Sequence, residues 1–277
     1  MGVAQKTYIC YFWKTYNMKE LIVRTLSGVL YISIVIFTLF ASHEWFIGLF
    51  FILALITLNE FLRIVKVKSL IPYLLLAGTL FFFSYKEIDM VAIYILLIAT
   101  IFVNLFLFKE VLVLYKFSLF EKRRYLYIFF YIINGFVFLT LIPPKFIIGV
   151  FILIWSNDTF AYLIGKRFGK RKLIERISPK KTLEGFFGGI IGTIIAGFFI
   201  FIYTSLLSLV IWLLLALIIS IIGTIGDLIQ SKFKRQVGLK DSGRLMPGHG
   251  GLYDRLDSII YASPFVYGFL ELINYVS

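Results

Sequence analysis

The chain has 277 residues and carries 28 Lys and Arg against 15 Asp and Glu, a formal net charge of +13. Sixty per cent of the residues are apolar or aromatic and only 16% are charged, whereas soluble domains carry about 25% charged residues. With a mean hydropathy of +0.94, this excludes an ordinary soluble domain, a disordered chain and a collagen-like repeat, and the single Cys10 excludes an intrachain disulfide framework.

Residues 1–17 are polar and aromatic, without an apolar core or a small-residue cleavage site, so a cleaved signal peptide is not expected. Met18 opens "MKELIVRTLSG", and translation is expected to begin either there or at Met1. Beyond this leader, apolar runs long enough to cross a hydrocarbon core of roughly 30 Å fall near 26–42, 45–62, 70–84, 90–108, 125–142, 146–165, 185–204, 208–229 and 257–275. The third is short and contains Pro72. The runs are too long for barrel strands and lack period-two alternation. The expected fold is therefore an all-α, polytopic membrane bundle of about nine transmembrane helices, with eight to ten compatible.

Charge placement orients that bundle. If nine spans alternate, 26 of the 28 Lys and Arg residues fall on one face and only Lys86 and Lys145 on the other. This asymmetry puts the N-terminus in the cytoplasm and the C-terminus outside. The basic pI of 9.7, a nucleic-acid signal in a soluble protein, is here an orientation signal, and no nucleic-acid partner is expected.

Composition divides the chain into the leader 1–17, apolar spans with short basic connections over 18–145, and a C-terminal region, 146–277, where acids, glycines and Ser/Thr enter the spans. Carboxylates at membrane depth are costly and mark functional sites by default. Asp158 lies in "ILIWSNDTFAYLIG" and Asp227 in "IIGTIGDLIQ", near the cytoplasmic span ends. Asp254 and Asp257 in "YDRLD" share one helix face at a spacing of three. Carboxylates beside a basic surface suit Mg²⁺ that also holds substrate phosphates, although acids in a first helical turn also complement the macrodipole. "PGHGG", Pro247 to Gly251, permits a tight turn and close backbone approach to an anion. "SPKKTLEG" places Ser178, Lys180, Lys181 and Thr182 just before a span, where a helix N-terminus can meet a polyphosphate. Metal-binding carboxylates, a cationic loop and a glycine turn at one membrane surface together suit phosphoryl chemistry on a lipid headgroup.

The stretch "SKFKRQVGLKDSGRLMPGHGGLYDRLD", Ser231 to Asp257, resembles the C-terminal signature of the phosphatidate cytidylyltransferase family. "SNDTFAYLIGKRFGKRKL…ISPKKTLEG" is similar to that family's other polar block, and "GDLIQS" fits the lead-in to the signature. The resemblance implies that CTP and phosphatidic acid give CDP-diacylglycerol and pyrophosphate, in phospholipid biosynthesis. It implies metal ligation by Asp227, Asp254 and Asp257 with Asp158 nearby, and substrate binding by Ser178, Lys180, Lys181, Ser231, Lys234, Arg235, His249, Gly250 and Arg255. Lys240 and Asp241 belong to the signature and are the candidate catalytic pair. The implied cofactor is Mg²⁺, with a second metal or a monovalent cation compatible. The implied partners are CTP, phosphatidic acid and membrane lipids, with a homodimer left open. The implied location is the inner, cytoplasmic membrane, with the site on its cytoplasmic face.

A CTP-dependent lipid-alcohol kinase is the nearest alternative, since it needs the same nucleotide but transfers the γ-phosphoryl group. A membrane transporter is a more distant one, because transporters place ionisable groups near the midplane and here they gather at one surface. CDP-alcohol phosphotransferases fit poorly, because their aspartates follow D-x-x-x-D and this pair is D-x-x-D. The orientation makes a direct prediction. A cysteine placed at position 86 or 145 reacts with an impermeant thiol reagent from outside, and one at 170 or 240 only from the cytoplasm. The reverse pattern overturns the assignment.

Overall fold

The computed structural model of the chain describes residues 28, 30, 32–86, 89–112, 119–243, 245 and 250–276. The leader, Met18 and His249 lie outside them. Apolar residues in long runs can satisfy their backbone groups in lipid only by forming helices, and this chain does so. In order these are α1 (Ile32–Ala41), α2 (His43–Ile64), α3 (Ile71–Tyr85), α4 (Met90–Leu112) and α5 (Leu119–Tyr127). A π-helical segment (Ile128–Ile133) joins α5 to α6 (Asn134–Leu141), followed by α7 (Pro144–Phe168), α8 (Leu183–Thr204), α9 (Leu209–Gln236) and α10 (Tyr253–Val276).

Among the described residues, seven helical stretches are long and apolar enough to cross a membrane, and α1 and α3 are shorter apolar helices. The chain is a polytopic helical membrane protein, as its composition requires. At 15 residues, α3 reaches only about 22 Å. Pro72 does not break it, because it lies in the first turn, where no intrahelical donor is needed. Among the described residues, the departure from all-α is one small antiparallel hairpin, β1 (Lys172–Ile174) with β2 (Ser178–Thr182), between α7 and α8. Its alternating, largely polar residues follow the last turn of α7.

Two packing devices position the C-terminal half. Along α8, glycines face α7, and the two helices form the most extensive contact in the fold. A Cβ on Gly188 would lie 2.6 Å from the Ile164 Cβ, and one on Gly189 would lie 2.5 Å from the Asn157 Oδ1. Only hydrogen at those positions allows such close backbones. The second device accommodates Pro264 inside α10. Proline has no N–H for the Ile260 carbonyl. The Ser263 hydroxyl stands at the gap and shares its one proton between Gly135 O at 2.5 Å and Ile260 O at 3.1 Å. A Cβ on Gly135 would reach within 2.7 Å of that same Ile260 oxygen, so α6 and α10 meet at backbone distance.

Behind these helices the π segment widens one turn and buries Tyr131 completely. Tyr131 joins Phe61 of α2, Phe233 of α9 and Tyr253 of α10 in a ring cluster with centroids 5.0–6.4 Å apart. The cluster couples the N-terminal helices to the C-terminal ones. From the α7–α8 packing, Gly188→Val costs about 1–3 kcal/mol by overpacking and lowers the melting temperature in detergent. Gly78→Ala, with nothing within 4 Å of the added methyl, leaves it unchanged or raises it. Equal effects of the two would remove the close-packing argument.

Candidate active site

A cavity of about 760 Å³ opens between the C-terminal half of α7, the hairpin, the start of α8, the last third of α9 and the first turn of α10. Pockets of roughly 300–1,000 Å³ are the size that takes small-molecule ligands. Asp158 reaches it from α7, Asp227 from α9, and Asp254 and Asp257 from α10. Lys180 and Lys181 of β2, Lys234 of α9, and Arg255 also line it, together with Asp241. Segments up to about 100 residues apart in sequence thus converge on one polar chamber in an apolar bundle.

Several of its charges have an identifiable setting. Lys181 Nζ meets Asp227 Oδ2 at 2.5 Å, and Asp227 Oδ1 accepts from Ser231 Oγ at 3.2 Å. Burial alone pulls the Lys181 ammonium down. The adjacent Asp227 carboxylate, with Asp158 and Asp257 farther off, outweighs that and holds it above the ordinary lysine value. Lys181 is therefore a fixed cation at neutral pH. Asp158, Asp227 and Asp257 are close enough for their charges to interact. Asn157 orients the first of them. Its Nδ2 faces Asp158 Oδ1 and Thr224 Oγ1, each at 3.4 Å, while its Oδ1 accepts from Ser220 Oγ at 2.6 Å. Asp257 Oδ1 accepts from the Ser258 N–H at 2.8 Å.

Asp254, which the sequence assigned as a metal ligand, lines the chamber and is also held by hydrogen bonds from the chain itself. Its Oδ1 accepts from Lys234 Nζ at 2.7 Å and Gln230 Nε2 at 2.8 Å. Its Oδ2 accepts from the N–H groups of Ser242 and Gly251, at 2.8 and 3.0 Å, and lies 3.1 Å from Ser242 Oγ. With both oxygens engaged, this carboxylate holds the turn before α10 and aims Lys234. It serves the first-turn role that the macrodipole favours.

Other sequence candidates separate as well. Arg235 is exposed and donates to Leu239 O at 2.8 Å, closing the end of its own helix away from the cavity. Ser231 is buried and holds Asp227. Ser178 pairs with Ile174 in the hairpin, and Lys240 is exposed; neither lines the cavity. Gly250 has φ of +90°, the left-handed turn expected of it. The start of α8 is capped within its own segment, Thr182 Oγ1 accepting from Gly185 N at 3.1 Å. Glu184 turns back to accept from the N–H groups of Lys170 and Arg171.

The donor set fits a divalent cation of one kind. Among the described residues no three His, Cys, Asp or Glu side chains form a complete metal cage. Mg²⁺ bound with substrate phosphates needs only one or two carboxylates, and Asp227 and Asp257 of this chamber can supply them. Asn157, Gln230 and Thr224 line the chamber without having been singled out, because uncharged polar residues in apolar runs give little signal. Glu60 of α2, outside the cavity lining, is buried against the turn before α10. It carries the signal of a carboxylate in an apolar run, but it stands 182 residues from Ser242, so no spacing in the sequence links them.

Residues 22–273 match the cytidylyltransferase family. The chain is 36% identical over 275 residues to the phosphatidate cytidylyltransferase of Bacillus subtilis (strain 168), covering 93% of this chain and 99% of that one. It is 35% identical over 250 residues to that of Staphylococcus epidermidis (strain ATCC 35984), covering 87% of this chain and 96% of the relative. For the protein of the same name from Staphylococcus aureus (strain COL) the identity is 34% over 252 residues, with the same coverage. The match spans both halves of the bundle and takes in every residue that lines the chamber: the chain belongs to the cytidylyltransferase family and is a nucleotidyltransferase of the membrane.

Proposed function

We propose that the chain joins CTP to phosphatidic acid, giving CDP-diacylglycerol and pyrophosphate, within the cytoplasmic membrane and from its cytoplasmic face. The observation that carries this reading is the chamber, where six Lys and Arg side chains and five Asp side chains line one cavity at a single end of four membrane helices. Family membership names the nucleotide transfer, and the relatives' names supply the lipid acceptor. The charge asymmetry of the connections supports the cytoplasmic face.

In the reaction a phosphate oxygen of phosphatidate bonds to the α-phosphorus of CTP, and the bond from that phosphorus to the bridging oxygen of pyrophosphate breaks. The lipid phosphate is largely ionised near neutral pH, its second pKa being about 6, so no strong base is required. The difficulty is charge, because a triphosphate and a phosphomonoester must meet. Two of the chamber's cations are already joined to carboxylates, Lys181 to Asp227 and Lys234 to Asp254. Mg²⁺ held by Asp227 and Asp257 supplies the remaining neutralisation of the phosphates when bound. Lys180 and Arg255 stand at the chamber wall to position the anions. Lys181 and Lys234 keep fixed positions because their carboxylates hold them, which is the preorganisation that stabilises charge in a transition state. Asp241 faces the chamber, where it can order the loop beside the leaving group.

The decisive assay uses purified full chain with α-³²P-CTP, phosphatidic acid and Mg²⁺. Label enters a chloroform-soluble product with release of pyrophosphate. Label confined to CDP points instead to a kinase, and label in neither product overturns both. Asp257→Asn and Lys181→Ala each lower kcat by about 100-fold or more, the scale for losing a preorganised charge, with the folded fraction retained in detergent. Wild-type turnover in Asp257→Asn would remove its place at the metal.

A further inference from the structure

The first turn of α10 presents backbone N–H groups that no intrahelical carbonyl can reach. At an exposed helix start water meets them, but Leu252 and Tyr253 are 3% and 0% exposed. Their partner comes from the other half of the molecule. Glu60, in α2 and itself 6% exposed, accepts from Leu252 N at 3.1 Å through Oε1 and from Tyr253 N at 2.9 Å through Oε2. The same Oε2 accepts from Ser242 Oγ at 2.7 Å. A carboxylate there also complements the positive end of the helix dipole.

We propose that Glu60 is a positioning residue for nucleotidyl transfer, acting from α2 through the Ser242 turn and the start of α10. The inference rests on the reaction proposed above. Glu60 does not line the chamber, but a continuous chain of contacts leads from it to groups that do. Ser242 Oγ lies between Glu60 Oε2 and Asp254 Oδ2. Asp254 Oδ1 in turn holds Lys234 Nζ. Asp257 follows Asp254 by one helical turn, so the direction in which α10 starts sets where its carboxylate stands.

Two signature glycines answer to Glu60. A Cβ on Gly243 would lie 2.9 Å from Glu60 Cδ, and one on Gly251 would strike the Glu60 carboxylate and Ser242 Oγ. The anion that this glycine turn admits at backbone distance is thus the chain's own Glu60.

The test compares variants of the full chain in detergent, reading kcat, KM for CTP, thermal unfolding and hydrogen–deuterium exchange over 241–256. Glu60→Gln keeps the shape but sets an amide NH₂ against at least one of the three donors. It lowers kcat about 30- to 100-fold, the scale for a misplaced reacting group, with KM for CTP changed less than about 3-fold. Exchange over 241–256 rises while that of α7 and α8 stays as in the unsubstituted chain. Ser242→Ala lowers kcat less, and the double variant is no worse than Glu60→Gln, because both act through one contact. Should Glu60→Gln fail to fold, Gly243→Ala, which displaces the carboxylate without removing it, lowers kcat, and adding Glu60→Asp restores part of it. A wild-type kcat per folded molecule with only a lower melting point would make Glu60 merely structural and overturn the proposal. So would independent, multiplicative effects of Glu60→Gln and Ser242→Ala, or unchanged exchange. An unsubstituted chain without activity overturns the reaction, while the exchange measurement still decides the contact.

Discussion

Charge inside an apolar bundle must be partnered, and the rest of this structure follows from that constraint. An ion taken from water into a low-dielectric interior loses several kcal/mol unless hydrogen bonds and opposite charge replace the solvent. Lys181 meets Asp227, Lys234 meets Asp254, and Glu60 takes three donors around the start of α10. These pairs determine which helix ends can lie together. The chamber is the place where partnering is left incomplete, with Asp158 and Asp257 facing space that substrates and a cation can fill.

The apolar scaffold exists to hold those ends at fixed separation. Glycines on α8 bring α7 within backbone reach, so that Asp158 and Lys181 arrive on the same wall. The Ser263 hydroxyl repairs the carbonyl that Pro264 leaves open, which lets α10 remain a single helix from its functional first turn to its far end. The aromatic cluster of Phe61, Tyr131, Phe233 and Tyr253 joins α2 and the π segment to α9 and α10. It ties the N-terminal helices, none of whose described residues lines the chamber, to the elements that do.

Much of the site was legible from residue type and depth. Asp158, Asp227 and Asp257 were visible because a carboxylate in an apolar run has few structural explanations. Lys180 and Lys181 were visible because a cationic cluster preceded a span. Asp254 was legible as important, but its hydrogen-bond partners were not, since they come from α9, the Ser242 turn and Gly251 and no local pattern reveals them. Arg235 and Ser231 shared the signature with true lining residues, yet their side chains turn to their own helix. The hairpin between α7 and α8 was not foreseen, because its basic residues read as an orientation signal and as polyphosphate ligands before a span.

The amino-acid sequence by itself determined that this chain lives in a membrane as a helical bundle and which chemistry its polar blocks serve. Those properties depend on composition, run length and local spacing, and all three are one-dimensional. Tertiary structure alone decided which carboxylates share one chamber and which hydrogen bonds each of them takes. It also decided that Glu60 closes the turn 182 residues away. Hydrogen-bond saturation depends on distances of about 3 Å between segments remote in sequence, and only the packed bundle sets those distances.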